Sequence, residues 1–260
     1  MRETKDEEEI KRIKRTGTKV VKAFNILIKT VRNMKVKGDV IMKEKNKKLL
    51  IGDLKAILRN ELYKMKVIDS AGLIVAQGRD AGVPHNSGRD RQAVKLGKTI
   101  VFDIYPQELS GGYFFDFTRT ICFGYAPKKI RELYNVVRNG QDYIIDKLQV
   151  GKRTVAIEKM MCKFFEKHGH TTFLSDCKTQ NGYCHSLGHG LGLSIHEAPT
   201  FGFVKTNMSR IKPGMVFTIE PGLYYPDQGF GIRLEDVVYV TRTRKILNLT
   251  KYPKKLVVEL

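Results

Sequence analysis

At 260 residues, 42% of them hydrophobic, the chain can bury a large core and sits at the upper end of what one domain holds. No apolar run approaches the length of a membrane span, and four cysteines without C-x-x-C spacing exclude the disulfide framework of small secreted domains. The 47 Lys and Arg against 27 Asp and Glu give a formal charge of +20, which raises nucleic acid or an acidic surface as a rival partner.

The first segment, KDEEEIKRIKRTGTKVVKAFNILIKTVR, places Ile10, Ile13, Val20, Val21, Phe24, Leu27, Ile28 and Val31 at three- and four-residue intervals. This predicts a docked amphipathic helix, with the acidic stretch Asp6 to Glu9 near the positive end of its dipole. The charge here is also unlike a signal peptide. Residues 1 to 66 hold 20 basic and 9 acidic residues, and KEKNKK at 43 to 48 reads as an exposed basic loop. It lacks the aromatic interleaving that stacked bases need, so the basic excess reads as solvated helix faces rather than a nucleic-acid site. A second helix is expected over GDLKAILRNELYKM, then strands at IVAQG and TIVFDIY, then helices from Pro127 to Leu148 and from Thr154 to Lys167. Pro127 suits a first turn and Gly169 a stop. Cys122, Cys162, Cys177 and Cys184 read as free thiols, which suits a reducing compartment and makes cytoplasm the expected location.

The chemistry is concentrated in three separated segments. Asp103 and Asp116 stand in TIVFDIYPQELSGGYFFDFTRT, His189 in HSLGHGLGLSIHEAP, and Glu220 and Glu235 in MVFTIEPGLYYPDQGFGIRLED. Singly, Asp103 reads equally as a satisfied structural carboxylate, and His189 more readily as a structural histidine. Together, four carboxylates in one partly buried cluster would repel and raise one another's pKa, and two divalent ions would cancel their charge. Hard oxygen ligands with one imidazole suit Mn, Fe, Co or Zn. Two such ions form a catalytic device that generates a nucleophile from water and polarises a carbonyl. Glycines 188, 190 and 192 around His189 permit close backbone approach. VFDIYP leading to YFFDFTRT and VFTIEPG leading to IRLEDVVYV each pair an acid on an apolar strand with another on the returning strand. That pattern supports a pseudo-symmetric α+β fold.

These motifs, FDIY, DFTR, GHGLG, IEPG and RLED, resemble those of the pita-bread metallopeptidases, the family of methionine aminopeptidase, aminopeptidase P and prolidase. The resemblance covers nearly the whole chain. It implies a pseudo-two-fold curved antiparallel sheet covered by helices, and it assigns Asp103, Asp116, His189, Glu220 and Glu235 as ligands of two divalent metal ions. It further implies that Glu220 is general base as well as ligand, that His85 in GVPHNSG serves the scissile nitrogen side, and that His196 in SIHEAP hydrogen-bonds the oxyanion. The four- and seven-residue intervals of His185, His189 and His196 resemble the prolidase and aminopeptidase P branch, as does Arg233 in GIRLED, which reads equally as a substrate contact and a structural ion pair.

The resemblance therefore implies a metallo-aminopeptidase or dipeptidase acting on Xaa-Pro peptides. Methionine aminopeptidase and a non-catalytic binding module stand as alternatives. Residues 1–260 are expected to form one catalytic domain without the N-terminal accessory domain of prolidases, and nothing in them indicates an oligomeric state. One departure is local. Tyr105-Pro106 replaces a glycine-bearing turn and the interval from Asp103 to Asp116 is stretched, so a longer hairpin loop is expected to keep the two acids paired across the ladder.

Overall fold

Asp6 starts the first helix by accepting the Glu9 amide hydrogen, while the Glu9 carboxylate accepts that of Asp6. In this computed structural model, which describes residues 2–204 and 206–260, that helix (α1, Glu7–Arg32) buries its apolar stripe from Ile10 to Val31. A small, lysine-rich sheet follows, of β1 (Lys35–Lys37), β2 (Val40–Lys43) and β3 (Lys47–Lys48). The stretch at 43 to 48 is thus not a plain loop. Ile41 is fully buried and anchors the middle strand, so the lysines extend from a docked sheet. Helix α2 (Ile51–Lys64) then packs on α1.

The next strands are β4 (Val67–Ile68), β5 (Leu73–Gln77), β6 (Ile100–Ile104), β7 (Gln107–Glu108) and β8 (Thr118–Phe123). Helices α3 (Lys128–Lys147) and α4 (Thr154–Lys167) follow, with Pro127 at the N-cap of α3 and Gly169 just past the end of α4 at a φ of 81°. The chain closes with β9 (His189–Gly190), β10 (Glu197–Thr200), β11 (Val216–Ile219), β12 (Gly222–Tyr225), β13 (Phe230–Arg233), β14 (Asp236–Val240), β15 (Ile246–Asn248) and β16 (Val257–Val258).

Two halves of similar plan result. The first backs a sheet of order β16-β8-β6-β5 with α1 and α2, and the second backs a sheet of order β10-β9-β11-β14-β15 with α3 and α4. Among the described residues, the strand ladders are antiparallel except at one edge, where β16 runs parallel to β8. The expected α+β architecture is present. The halves meet where Thr118 bridges Glu235, and one residue on, Arg119 and Asp236 form an ion pair at 2.8 Å, each side chain 1% exposed. Alternation along the strands thus turns one pair toward the cleft and the other into the core.

The Asp103–Asp116 interval departs from the simple hairpin. Asp103 pairs in register with Thr118, and Asp116 lies two residues before β8 begins, so the acids are not ladder partners. The added residues leave as β7, which pairs with β4, and Glu108 on β7 accepts from Arg12 and Arg15 of α1. Gly17 of α1 is close against the return segment: a Cβ there would lie 2.4 Å from the ring of Phe115, beside Asp116.

Candidate active site

A cleft of about 1040 Å³ opens at the meeting of the halves. Its walls bring together all nine residues singled out from the sequence: His85, Asp103, Asp116, His185, His189, His196, Glu220, Arg233 and Glu235. Asp103 comes from β6, Asp116 from the lead into β8, His189 from β9, Glu220 from the residue after β11, and Glu235 from the residue before β14. Buried Gln141 of α3 secures the last two from below, donating through Nε2 to the carbonyls of Ile219 (2.7 Å) and Leu234 (3.1 Å), the residues preceding each glutamate.

His189 is the centre of the carboxylate cluster. Its Nε2 lies 3.3 Å from Glu220 Oε1 and 3.6 Å from Asp116 Oδ2. One ligand atom each of Asp116, His189 and Glu235 fall within 4.8 Å of one another. Glu235 accepts from the Thr118 hydroxyl at 2.7 Å through Oε2, while its Oε1 is buried beside Asp116 with no donor group among the described residues. Asp103 is different, because Arg233 Nη2 donates to its Oδ2 at 2.5 Å.

Electrostatics follow from this crowding. Burial, with the neighbouring charges of Glu235 and Asp103, holds Asp116 well above the usual carboxylate range. Glu235 is raised by burial, Glu220 and Asp103, and Glu220 by burial, Asp116 and Asp103 against the opposing effect of Arg233. Burial and the nearby His196 push His189 down to about 4, so it presents a neutral imidazole. The donor set fits a divalent cation. A carboxylate oxygen without a donor, three acids with raised proton affinity and a neutral imidazole converge where, among the described residues, no lysine or arginine pairs with them.

The other histidines and Arg233 line the same space. The His196 ring is 4.3 Å from that of His189, nearly perpendicular, and burial lowers its pKa. His185 Nε2 is 2.8 Å from the Tyr224 hydroxyl, which also accepts from Arg233 Nη1 at 2.7 Å. Burial, then the Arg233 charge, push His185 down to about 3. Arg233 Nη1 also donates to the Pro84 carbonyl, next to His85. The guanidinium therefore ties the His85 turn, Tyr224 and Asp103 together.

Tyr224, Thr118, Thr218 and Tyr105 also border the site, although the sequence motifs that contain or adjoin them assign them no role. Thr118 and Thr218 stand two residues from Asp116 and Glu220, on the same strand face, and hydrogen-bond Glu235 and Glu220. That alternation could have found both. Tyr105 stands two residues beyond Asp103 and lines the cleft, its phenol pushed up to about 12 by burial and by Asp103 and Asp116. Tyr224 is hard to see locally, because its partners are Arg233 on the returning strand of its hairpin and His185 from a separate segment.

The sequence pattern of metallopeptidase family M24 matches residues 11–242. The Xaa-Pro dipeptidase of Pyrococcus furiosus is 33% identical over 168 residues, covering 65% of this chain and 44% of that protein. The Xaa-Pro dipeptidase of Lactobacillus delbrueckii subsp. lactis is 29% identical over 239 residues, 92% of this chain and 57% of that protein. The chain thus spans about half the length of the curated relatives it matches. Among solved structures, an Xaa-Pro dipeptidase from Bacillus anthracis superposes with a TM-score of 0.82 at 27% identity, covering 100% of this chain and 64% of that one. An X-Pro aminopeptidase from Thermotoga maritima gives 0.81 at 26% identity, covering 100% and 65%.

Proposed function

Because the chain belongs to metallopeptidase family M24, we propose that it is a dinuclear metal-dependent peptidase that hydrolyses the bond after an N-terminal residue, with proline preferred in the following position. The reading rests on one observation: Asp116, Glu220 and Glu235, acids without a lysine or arginine partner among the described residues, gather around the neutral imidazole of His189 in a cleft. Asp103, Asp116, His189, Glu220 and Glu235 would hold two divalent ions, with Mn, Co, Fe and Zn suited to this set. When bound, such a pair supplies Lewis-acid polarisation of the scissile carbonyl and lowers the pKa of the attacking water.

The chain's own residues divide the remaining work. Glu220, with raised proton affinity and one oxygen held by Thr218, takes the proton from the attacking water and delivers it to the leaving amine. Such transfer contributes about 10² to 10⁴-fold. His196, kept neutral by burial, donates to the developing oxyanion, and His85 serves the nitrogen side of the scissile bond. His185, fixed through Tyr224 to Arg233, bounds the pocket for proline, and the preference for proline rests on this pair. Relatives of similar sequence are named Xaa-Pro dipeptidase, which supports the same substrate class. The four free cysteines suit a reducing compartment, so cytoplasm is the proposed location.

The test is a peptide panel on protein whose metal content has been measured. Metal-dependent cleavage of Xaa-Pro peptides is the expected result. Faster cleavage of Met-Ala-type peptides would assign methionine aminopeptidase activity instead, and full activity in metal-stripped protein would overturn the proposal. Comparison of dipeptides with longer peptides then sets the substrate length.

A further inference from the structure

Glu158 lies on α4, outside the cleft, with 0% of its surface exposed, on a helix whose Ile157, Met161 and Phe165 belong to the second core. An acid in such a place is costly unless its oxygens are engaged. Both are. Tyr183 donates through its hydroxyl to Oε1 at 2.7 Å, and the Leu187 amide donates to Oε2 at 2.7 Å. Tyr183 and Leu187 bracket His185 in a segment without regular structure, where the Leu187 amide has no strand partner. The Leu187 carbonyl in turn accepts the Glu220 amide at 2.8 Å. The Tyr183 ring sits edge-on to His185 with centroids 5.7 Å apart. Glycines flank the segment at close approaches: a Cβ at Gly182 would lie 2.1 Å from the Thr171 carbonyl oxygen, and one at Gly188 2.1 Å from that of Thr218. The segment is thus pressed against its neighbours at both borders, and between them the Glu158 carboxyl group joins the Tyr183 hydroxyl to the Leu187 amide, alongside the backbone bonds of Tyr183 to Thr171 and Phe173.

We propose that Glu158 is a positioning residue for the cleft, its carboxyl group spanning Tyr183 and Leu187 and thereby fixing His185 and, through the Leu187 carbonyl, Glu220. Its effect on catalysis rests on the peptidase reading above. Reach is what matters, not charge: burial pushes this acid up to about 8, so much of it is uncharged at neutral pH. A glutamine keeps the reach, its oxygen accepting from Leu187 and its amide donating to the Tyr183 phenol oxygen. An aspartate keeps the ionisable group but is one methylene short.

Glu158→Gln and Glu158→Asp separate these features. In the metal-loaded protein, Glu158→Gln is expected to stay within about threefold of wild-type kcat on an Xaa-Pro peptide. Glu158→Asp is expected to lose about 10- to 100-fold in kcat with a smaller change in KM and unchanged metal content, as misplacement of reacting groups does. In the metal-free protein, hydrogen exchange at the Leu187 and Glu220 amides should accelerate about tenfold or more in Glu158→Asp and not in Glu158→Gln. The reverse order of the two variants, wild-type exchange in both, or a loss in Glu158→Asp that merely tracks global unfolding overturns the proposal. If the wild type cleaves no Xaa-Pro peptide, the substrate reading fails, and the exchange comparison still decides the positioning role.

Discussion

Arg233 donates through Nη2 to Asp103 Oδ2 at 2.5 Å, whereas no lysine or arginine is paired with Asp116, Glu220 or Glu235 among the described residues. The four acids proposed as metal ligands are therefore of two kinds. One is compensated by the protein itself, and three are left to be compensated by what binds. Arg233→Met should destabilise the metal-free protein by about 3–5 kcal/mol, because it strands a buried carboxylate and frees Tyr224 and the Pro84 carbonyl. Thermal melts with and without added divalent metal measure this, and metal should recover part of the loss. An unchanged midpoint without metal would show that the pair holds nothing together.

Glu235→Gln should separate stability from activity. Because Glu235 is buried against other acids with no donor to Oε1 among the described residues, removing the ionisable group relieves the metal-free protein, whose thermal midpoint at pH 8 should match or exceed the wild type's. Hydrolysis should fall by more than about 10²-fold, beyond the loss typical of residues that only support a ligand. Retained hydrolysis would remove Glu235 from the ligand set.

Metal uptake should release protons. The folded protein raises the proton affinity of Asp116, Glu220 and Glu235, so part of this set is protonated where an isolated carboxyl would not be, and ligation requires the ionised form. His189, lowered to about 4, is already neutral and contributes no proton at pH 7. Apparent affinity should accordingly rise with pH and level off once the acids are ionised. Titration calorimetry in two buffers of different ionisation enthalpy counts the protons; a count of zero at pH 6 contradicts the shifts.

The stability of Glu158→Gln relative to wild type should depend on pH in a defined direction. Below about 4.5, the ordinary value for glutamate, the acid is protonated in both folded and unfolded chains and contributes no difference. Between 4.5 and about 8 the unfolded chain gives up the proton first, so the wild type loses stability as pH rises, and above 8 the loss is complete. The variant should gain about 3–5 kcal/mol relative to wild type across that window. Urea melts at pH 5 and pH 9 compare the two; a constant difference would mean the acid is not shifted.

Gly190→Ala should destabilise the fold by about 3 kcal/mol, since a Cβ there would lie 2.0 Å from the Ala198 carbonyl oxygen, a backbone atom that cannot step aside. Gly190 pairs with Glu197 on one side and Phe217 on the other, so the strain falls on an internal strand of the second sheet beside His189. Circular dichroism melts measure the loss, and a midpoint within a degree of wild type would refute the packing argument.

The sequence exposed what is local. The apolar spacing and terminal residues mark α1 through α4 closely, with α4 beginning at Thr154 and ending at Lys167 as expected. The nine candidate residues share one cleft, with Asp103, Asp116, His189, His196, Glu220, Arg233 and Glu235 in or within two residues of a strand and His85 and His185 on connecting segments. What escaped is whatever depends on distant partners. Gln141 and Glu158 sit within amphipathic helices, and their contacts lie 78 and 29 residues further along the chain. The stretched Asp103–Asp116 interval suggested a longer hairpin, yet its extra residues pair with β4 and anchor to α1, a choice made by Arg12 and Arg15 some 90 residues earlier.

The bridge between Thr118 and Glu235 has a consequence for how this centre could come into being. Asp103 and Asp116 arrive on one half, while His189, Glu220 and Glu235 arrive on the other, so neither half carries the full donor set. Severed within Gly124–Pro127, the chain would yield two fragments whose hydrolysis depended on their meeting, and turnover would scale with the product of their concentrations. The cleft is in that sense a molecular handshake, and on the peptidase reading proposed above, peptide cleavage would report that it has been completed.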